Sequence, residues 1–214
     1  MSERTYSLLD RFIGHFDEAM RTVFGPPPQA ARANPAAGRS DEDMDSAARE
    51  LAGRLMRVNH AGEICAQALY QGQALTAKLP NVREKMEQAA REENDHLAWT
   101  EERVRDLGTH TSYLNPLWYA GSFTLGASAG LLGDRWSLGF LAETERQVVE
   151  HLSGHLSRLP PQDHKSHAIV EQMREDEGRH ATVAIEAGAA ELPQPIKQIM
   201  RLASKVMISA AHWV

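Results

Sequence analysis

Met86-Glu-Gln-Ala-Ala-Arg-Glu-Glu-Asn-Asp-His-Leu-Ala-Trp-Thr-Glu-Glu-Arg-Val104 is the stretch that decides the fold. Met86, Ala89, Ala90, Leu97, Thr100 and Val104 recur at helical spacing and form one stripe. Glu93 and His96, three residues apart, fall on that same stripe. A lone Glu-x-x-His is commonplace on a solvated helix. One that interrupts the face meant for the core is not, because a buried carboxylate is costly unless it is paired or metal-bound.

The same arrangement recurs downstream. Ile169, Val170, Met173, Ala181 and Ala184 make a second stripe, and Glu177 and His180 break it. Working outward from these two segments, helices are expected over about 46–77, 82–107, 135–158 and 165–188. Leu79-Pro80-Asn81, Gly108, Pro160-Pro161 and Gly188 supply the stops. Ala, Leu, Glu, Gln, Arg and Met dominate, and hairpin dipeptides such as Asn-Gly are missing. The expected class is all-α: two antiparallel helix hairpins joined by a long crossover, the connectivity of a ferritin-like four-helix bundle. Extra amphipathic helices flank it. Residues 1–24 carry Leu8, Leu9, Phe12, Ile13, Phe16, Met20, Val23 and Phe24 on one face. Residues 25–45, rich in Pro, Ala and Asp, read as a flexible linker, and 46–214 as the main domain with its C-terminal helix.

The partner helix of each hairpin adds one more acid. Glu145 lies on the stripe of Leu138, Leu141, Ala142, Val148, Val149 and Leu152, whereas Glu143 and Glu150 fall on the polar side with Arg146 and Gln147. Glu63 sits among Met56, Asn59, Ala66 and Tyr70. Height along the bundle supports the grouping. Glu63 precedes the Leu79-Pro80 turn by about as many residues as Glu93 and His96 follow it. Glu145 stands in the same relation to Glu177 and His180 about Pro160-Pro161. Four glutamates and two histidines at one depth match the di-iron or di-manganese carboxylate arrangement. Hard carboxylate oxygens with imidazoles suit iron or manganese better than zinc or copper.

Composition removes other classes. With 23 Lys+Arg against 29 Asp+Glu, the net charge of -6 opposes nucleic-acid binding. One cysteine, Cys65, excludes a disulfide framework and a cysteine-based metal site. A mean hydropathy of -0.44 excludes a polytopic membrane protein, and the opening residues lack the apolar run of a secretory signal.

Arg57-Val58-Asn59-His60-Ala61-Gly62-Glu63 resembles the signature of the demethoxyubiquinone hydroxylases, the di-iron monooxygenases of ubiquinone biosynthesis. So do the segments at 66–75, 92–99 and 176–181, and the similarity spans about residues 48–214. The resemblance implies Glu63, Glu93, His96, Glu145, Glu177 and His180 as ligands of two iron ions per chain, with catalysis running through that metal pair. It implies O2 as co-substrate and hydroxylation of a polyprenylated methoxy-methyl-benzoquinone ring. It also implies two electrons from outside; with no dinucleotide fingerprint in the chain, NADH reacting directly and a partner reductase or flavin are all open as donors. Asn59, Asp95, His151 and Asp176 are candidates to orient the imidazoles. His60 suits packing or capping, and His164 and His167 the surface.

A polyprenyl substrate requires access to a bilayer. Residues 107–133 lack Asp, Glu, Lys and Arg; they either insert into one leaflet or pack along the bundle. The last helix sets Ile196, Ile199, Met200, Ala203, Val206, Met207 and Ala210 against Lys197, Arg201 and Lys205, ending near Trp213. It either meets an anionic membrane surface or closes the bundle. The N-terminal helix poses the same question, and packing between such helices or between subunits of a homo-oligomer also suits it. The expected placement is peripheral, at the cytoplasmic face of a bacterial cell membrane, where other ubiquinone-biosynthesis proteins are natural partners. The competing readings are a ferritin-like peroxidase or ferroxidase and a metal-free helical interaction protein.

Overall fold

The computed structural model describes residues 8–26 and 29–214. The expected first residues of the N-terminal helix, 5–7, and Pro27-Pro28 lie outside them. Seven helices follow in order: α1 (Leu8–Phe24), α2 (Ser46–Thr76), α3 (Pro80–Asp106), α4 (Asn115–Leu131), α5 (Asp134–Leu156), α6 (His164–Glu186) and α7 (Gln194–Trp213). No strand occurs among the described residues.

The fold is a ferritin-like four-helix bundle built from the hairpins α2/α3 and α5/α6. Local chemistry sets the helix ends. The Asp45 carboxylate accepts from the Ala48 amide at 2.7 Å and caps α2. Asp163 does the same for α6 through the Ser166 amide at 2.8 Å. Asp134 accepts from the Lys78 and Leu79 amides at 3.0 and 2.9 Å, which ties the first hairpin turn to the start of α5.

Two apolar layers fill the bundle. Leu55, Met56, Trp99, Leu152, Ile169 and Met173 form one. Tyr70, Met86, Leu138, Leu141 and Ala184 form the other. Along all four helices the candidate metal ligands fall between these layers, so hydrophobic burial on both sides holds the polar band at one height.

The crossover resolves as a helix packed along α2. Backbone meets backbone here: a Cβ on Gly72 would stand 2.3 Å from Phe123 O, and one on Gly126 would stand 2.2 Å from Leu69 O. Glycine at both places lets α4 lie closer to α2 than side chains permit. Its opposite side leaves Leu117, Leu125 and Leu131 exposed. No helix among the described residues is long and apolar enough to cross a membrane.

The segment read as a linker carries no helix, yet its described part lies on the bundle. Ala36 is buried in the core layer of Leu55, Trp99 and Ile169, and Asp41 reaches Arg103 at 2.8 Å. The α7 helix buries Ala211 and packs Met207 and Ile208 against Val58 and Ala61. Lys197 departs from its expected exposed position: it is buried, with ion pairs to Glu191 and, at 3.5 Å, to Glu143. Glu143 is likewise buried rather than solvated.

Candidate metal centre

Glu63 on α2, Glu93 and His96 on α3, Glu145 on α5, and Glu177 and His180 on α6 are all buried. Ligand atoms of Glu63, Glu93, His96 and Glu177 lie within 4.8 Å of one another. His96 Nδ1 is 3.0 Å from Glu93, 3.1 Å from Glu177 and 3.5 Å from Glu63. His180 Nδ1 is 3.1 Å from Glu177 and 3.2 Å from Glu93. Glu145 joins through Glu177 and accepts the Tyr70 phenol hydrogen. The structure thus brings together all six residues singled out from the sequence.

The outer nitrogens show how the rings are held. His96 Nε2 stands 3.0 Å from Asp176 on α6, and His180 Nε2 stands 2.8 Å from Glu92 on α3. The acid just before each Glu-x-x-His glutamate thus serves the histidine of the other helix. A carboxylate at Nε2 keeps hydrogen there and leaves Nδ1 facing the glutamates.

Among the residues considered for this role, Asp176 fills it. Asp95 instead accepts from the Ala31 amide and Arg32. Asn59 accepts from His155 Nδ1 at 2.7 Å, and the His151 ring lies 4.0 Å from that of His155. Glu92 escaped the sequence reading, although the repeated acid-Glu-x-x-His pattern marks it. His60 is buried with Nδ1 unpartnered, and burial holds it down at about 4.

The electrostatics describe a site made for cations. Burial, then the neighbouring Glu177 and Glu93 charges, push the Glu145 carboxyl well up. Burial likewise raises Glu63, with Glu93 and Glu177 adding to it. Burial opposes charge on His180, but hydrogen bonds to Glu177 and Glu93 prevail and push it up to about 12. His96 is raised in the same way, chiefly by Glu93 against burial.

Protons nevertheless leave the site incomplete. One Nδ1 can donate a single hydrogen, whereas three carboxylates crowd that of His96. Glu63 Oε2 faces only His96 Nδ1, at 3.5 Å, and Glu93 Oε1 only His180 Nδ1, at 3.2 Å, and each nitrogen has a nearer carboxylate oxygen, so neither buried acceptor has a hydrogen of its own. Orphaned buried acceptors of this kind are expensive. Two divalent cations would satisfy them, so the residues present fit a di-iron pair.

The family profile of the ubiquinone biosynthesis protein COQ7 matches residues 50–211. The chain is 60% identical over 214 residues to a 3-demethoxyubiquinol 3-hydroxylase of Nitrosococcus oceani, covering all of both chains. It is 57% identical over 212 residues to the enzyme of that name from Stutzerimonas stutzeri, covering 99% of this chain and 98% of the relative. It is 55% identical over 207 residues to that of Chromobacterium violaceum, covering 97% of this chain and all of the relative.

Proposed function

The chain belongs to the COQ7 family of ubiquinone biosynthesis proteins, and from that premise we infer that it is a 3-demethoxyubiquinol 3-hydroxylase. It hydroxylates the ring of a polyprenylated methoxy-methyl-benzoquinol. The observation that carries the chemistry is the buried set Glu63, Glu93, His96, Glu145, Glu177 and His180 with its orphaned carboxylate oxygens. Bound by these six, a pair of iron ions supplies the activation of O2 that ring hydroxylation requires. One oxygen atom enters the ring and the other leaves as water, which consumes two electrons and two protons. The electrons come from NADH or a reductase.

The chain's own residues prepare the site. Asp176 and Glu92 hold the two imidazoles by Nε2, so that both Nδ1 atoms face inward. Tyr70 orients Glu145 by donating to it. The apolar layers above and below exclude water and strengthen each electrostatic contact between them. The substrate tail is taken from a membrane surface. Support comes from apolar side chains left exposed on α1 (Phe16, Phe24), α4 (Leu117, Leu131) and α7 (Ile199, Val206).

The test is incubation of the iron-loaded protein with a short-tailed demethoxyubiquinol, a reductant and isotopically labelled O2. The expected product carries one labelled oxygen on the ring. Peroxide turnover without a labelled ring points instead to a ferritin-like peroxidase. Failure to take up iron refutes the metal reading altogether. Glu177→Ala is expected to abolish hydroxylation with the helical circular dichroism retained.

A further inference from the structure

Arg32 lies outside every helix and outside the part of the chain that the family profile matches. It is nonetheless the meeting point of the two helices that carry the Glu-x-x-His pairs. Its Nε donates to Asp95 Oδ2 on α3 at 2.6 Å. Its Nη1 donates to Asp176 Oδ2 on α6 at 2.7 Å. The neighbouring Ala31 amide occupies the other Asp95 oxygen at 2.6 Å. The guanidinium also lies over the Trp99 ring, 4.9 Å from its centroid.

The shared atom matters most. Asp176 Oδ2 accepts from Arg32 and is also the oxygen 3.0 Å from His96 Nε2. The order is therefore guanidinium, carboxylate, imidazole, glutamate cluster. Asp95 and Asp176 are both buried. Two such carboxylates on facing helices repel unless a cation is shared between them. A planar guanidinium with separate N–H groups satisfies both at fixed geometry, and an ammonium does not. Arg179 on α6 reaches the other Asp176 oxygen, Oδ1, at 3.1 Å and Glu92 at 3.4 Å; Arg32 is the cation placed on both Asp95 and the Asp176 oxygen that faces His96.

We propose that Arg32 is a positioning residue of the metal centre: docked from the N-terminal segment, it fixes Asp176 and through it the orientation and basicity of His96. The proposal rests on the di-iron reading and adds to it a residue that no helix of the bundle supplies. The strap is therefore part of the site, although it contributes no ligand. Removing such a carboxylate–histidine support ordinarily weakens metal binding by about 10–100-fold.

The experiment uses the full chain, freed of metal, in anaerobic equilibrium dialysis against Fe(II). It compares Arg32→Gln, Asp176→Ala and the double variant with the parent. Arg32→Gln is expected to weaken binding by about tenfold or more. The double variant is expected to bind about as well as Asp176→Ala alone, because both changes cut one chain of contacts. Parental affinity in Arg32→Gln overturns the proposal. So does an additive loss in the double variant. A strap that merely closed the fold would lower the melting temperature of the metal-free protein and leave the dissociation constant unchanged, which also overturns it. Should Arg32→Gln lose its helical signal, Arg32→Lys decides in its place. It keeps the charge but not the fork, so weakened binding supports the proposal and parental binding refutes it. A parent protein that binds no iron sinks the metal reading itself, an outcome distinct from all of these.

Discussion

The Nε2 of His180 on α6 stands 2.8 Å from a carboxylate oxygen of Glu92 on α3. This contact crosses between the hairpins, and its counterpart, His96 to Asp176, crosses back at 3.0 Å. Each helix thereby fixes the imidazole of the other. Glu92→Ala is expected to weaken Fe(II) binding by about 10–100-fold, since His180 loses the group that holds its outer nitrogen. Glu92→Gln, whose amide oxygen still accepts a hydrogen bond, is expected to lose less. Equilibrium dialysis of the metal-free variants measures both, and equal affinity for parent and Glu92→Ala counts against the role.

What could be read from the residues, and what could not, follows from where the partner of each residue lies. Helical stripes and their breakers are local, so four long helices and their turns were legible from Met86 to Val104 outward. Equal distance from a turn is also local arithmetic, and it levelled Glu63 with Glu93 and His96. Glu92 was missed because its own helix face is half solvated, whereas Asp176 is buried. Arg32 lay in a stretch whose Pro- and Ala-rich composition carries no period, so nothing announced a docked strap. Residues 107–133 leave leaflet insertion and bundle packing both open, because what decides between them is how closely α4 approaches another helix, α2. In the structure Gly126 on α4 and Gly72 on α2 each admit the backbone of the other helix.

His155 gives a pH dependence separate from the candidate metal ligands. It is buried, donates to Asn59 at 2.7 Å, and is pushed down to about 2 by burial, with His151, Arg158 and His212 adding to the effect. An unfolded histidine titrates near 6.5. Between those values the unfolded chain binds a proton that the folded chain refuses. This stability is present above the unfolded value and is lost as pH falls. From pH 7 to 5 the loss is about 2 kcal/mol from this residue. For a chain of this size that is roughly 4–8 °C in melting temperature. His155→Gln is expected to flatten the acid limb by that amount. The measurement belongs on the metal-free protein, where acid cannot act by expelling iron. An unchanged slope rejects the assignment.

The close approach of α2 and α4 predicts opposite outcomes for two glycines of one helix. A Cβ at Gly126 would meet Leu69 O at 2.2 Å and Leu69 Cα at 2.9 Å. Backbone cannot rotate aside, so the helices must separate. Gly126→Ala is expected to cost about 2–3 kcal/mol, or roughly 5–10 °C in melting temperature. At Gly121 the same atom would meet nothing within 4 Å. Gly121→Ala is therefore expected to stabilise by up to about 1 kcal/mol through lost backbone entropy. Thermal melts of the two variants decide, and the same shift in both would discard the packing argument.

The α7 helix presents two apolar rows, of which the bundle uses one. Ala211, Met207 and Ile208 pack on α2. Ile199, Leu202 and Val206 stay 64%, 65% and 58% exposed, with Lys205 also exposed beside them. An apolar row flanked by basic groups suits an anionic bilayer surface. Burying an aliphatic side chain yields about 1.5–3 kcal/mol, and 1.4 kcal/mol is tenfold in affinity. Ile199→Glu with Val206→Glu is therefore expected to weaken binding to phosphatidylglycerol-containing vesicles on the order of a hundredfold. The helical signal should persist, because neither side chain belongs to the buried row. Cosedimentation reads the affinity directly. Unchanged partitioning of the double variant would refute α7 as a membrane-binding face.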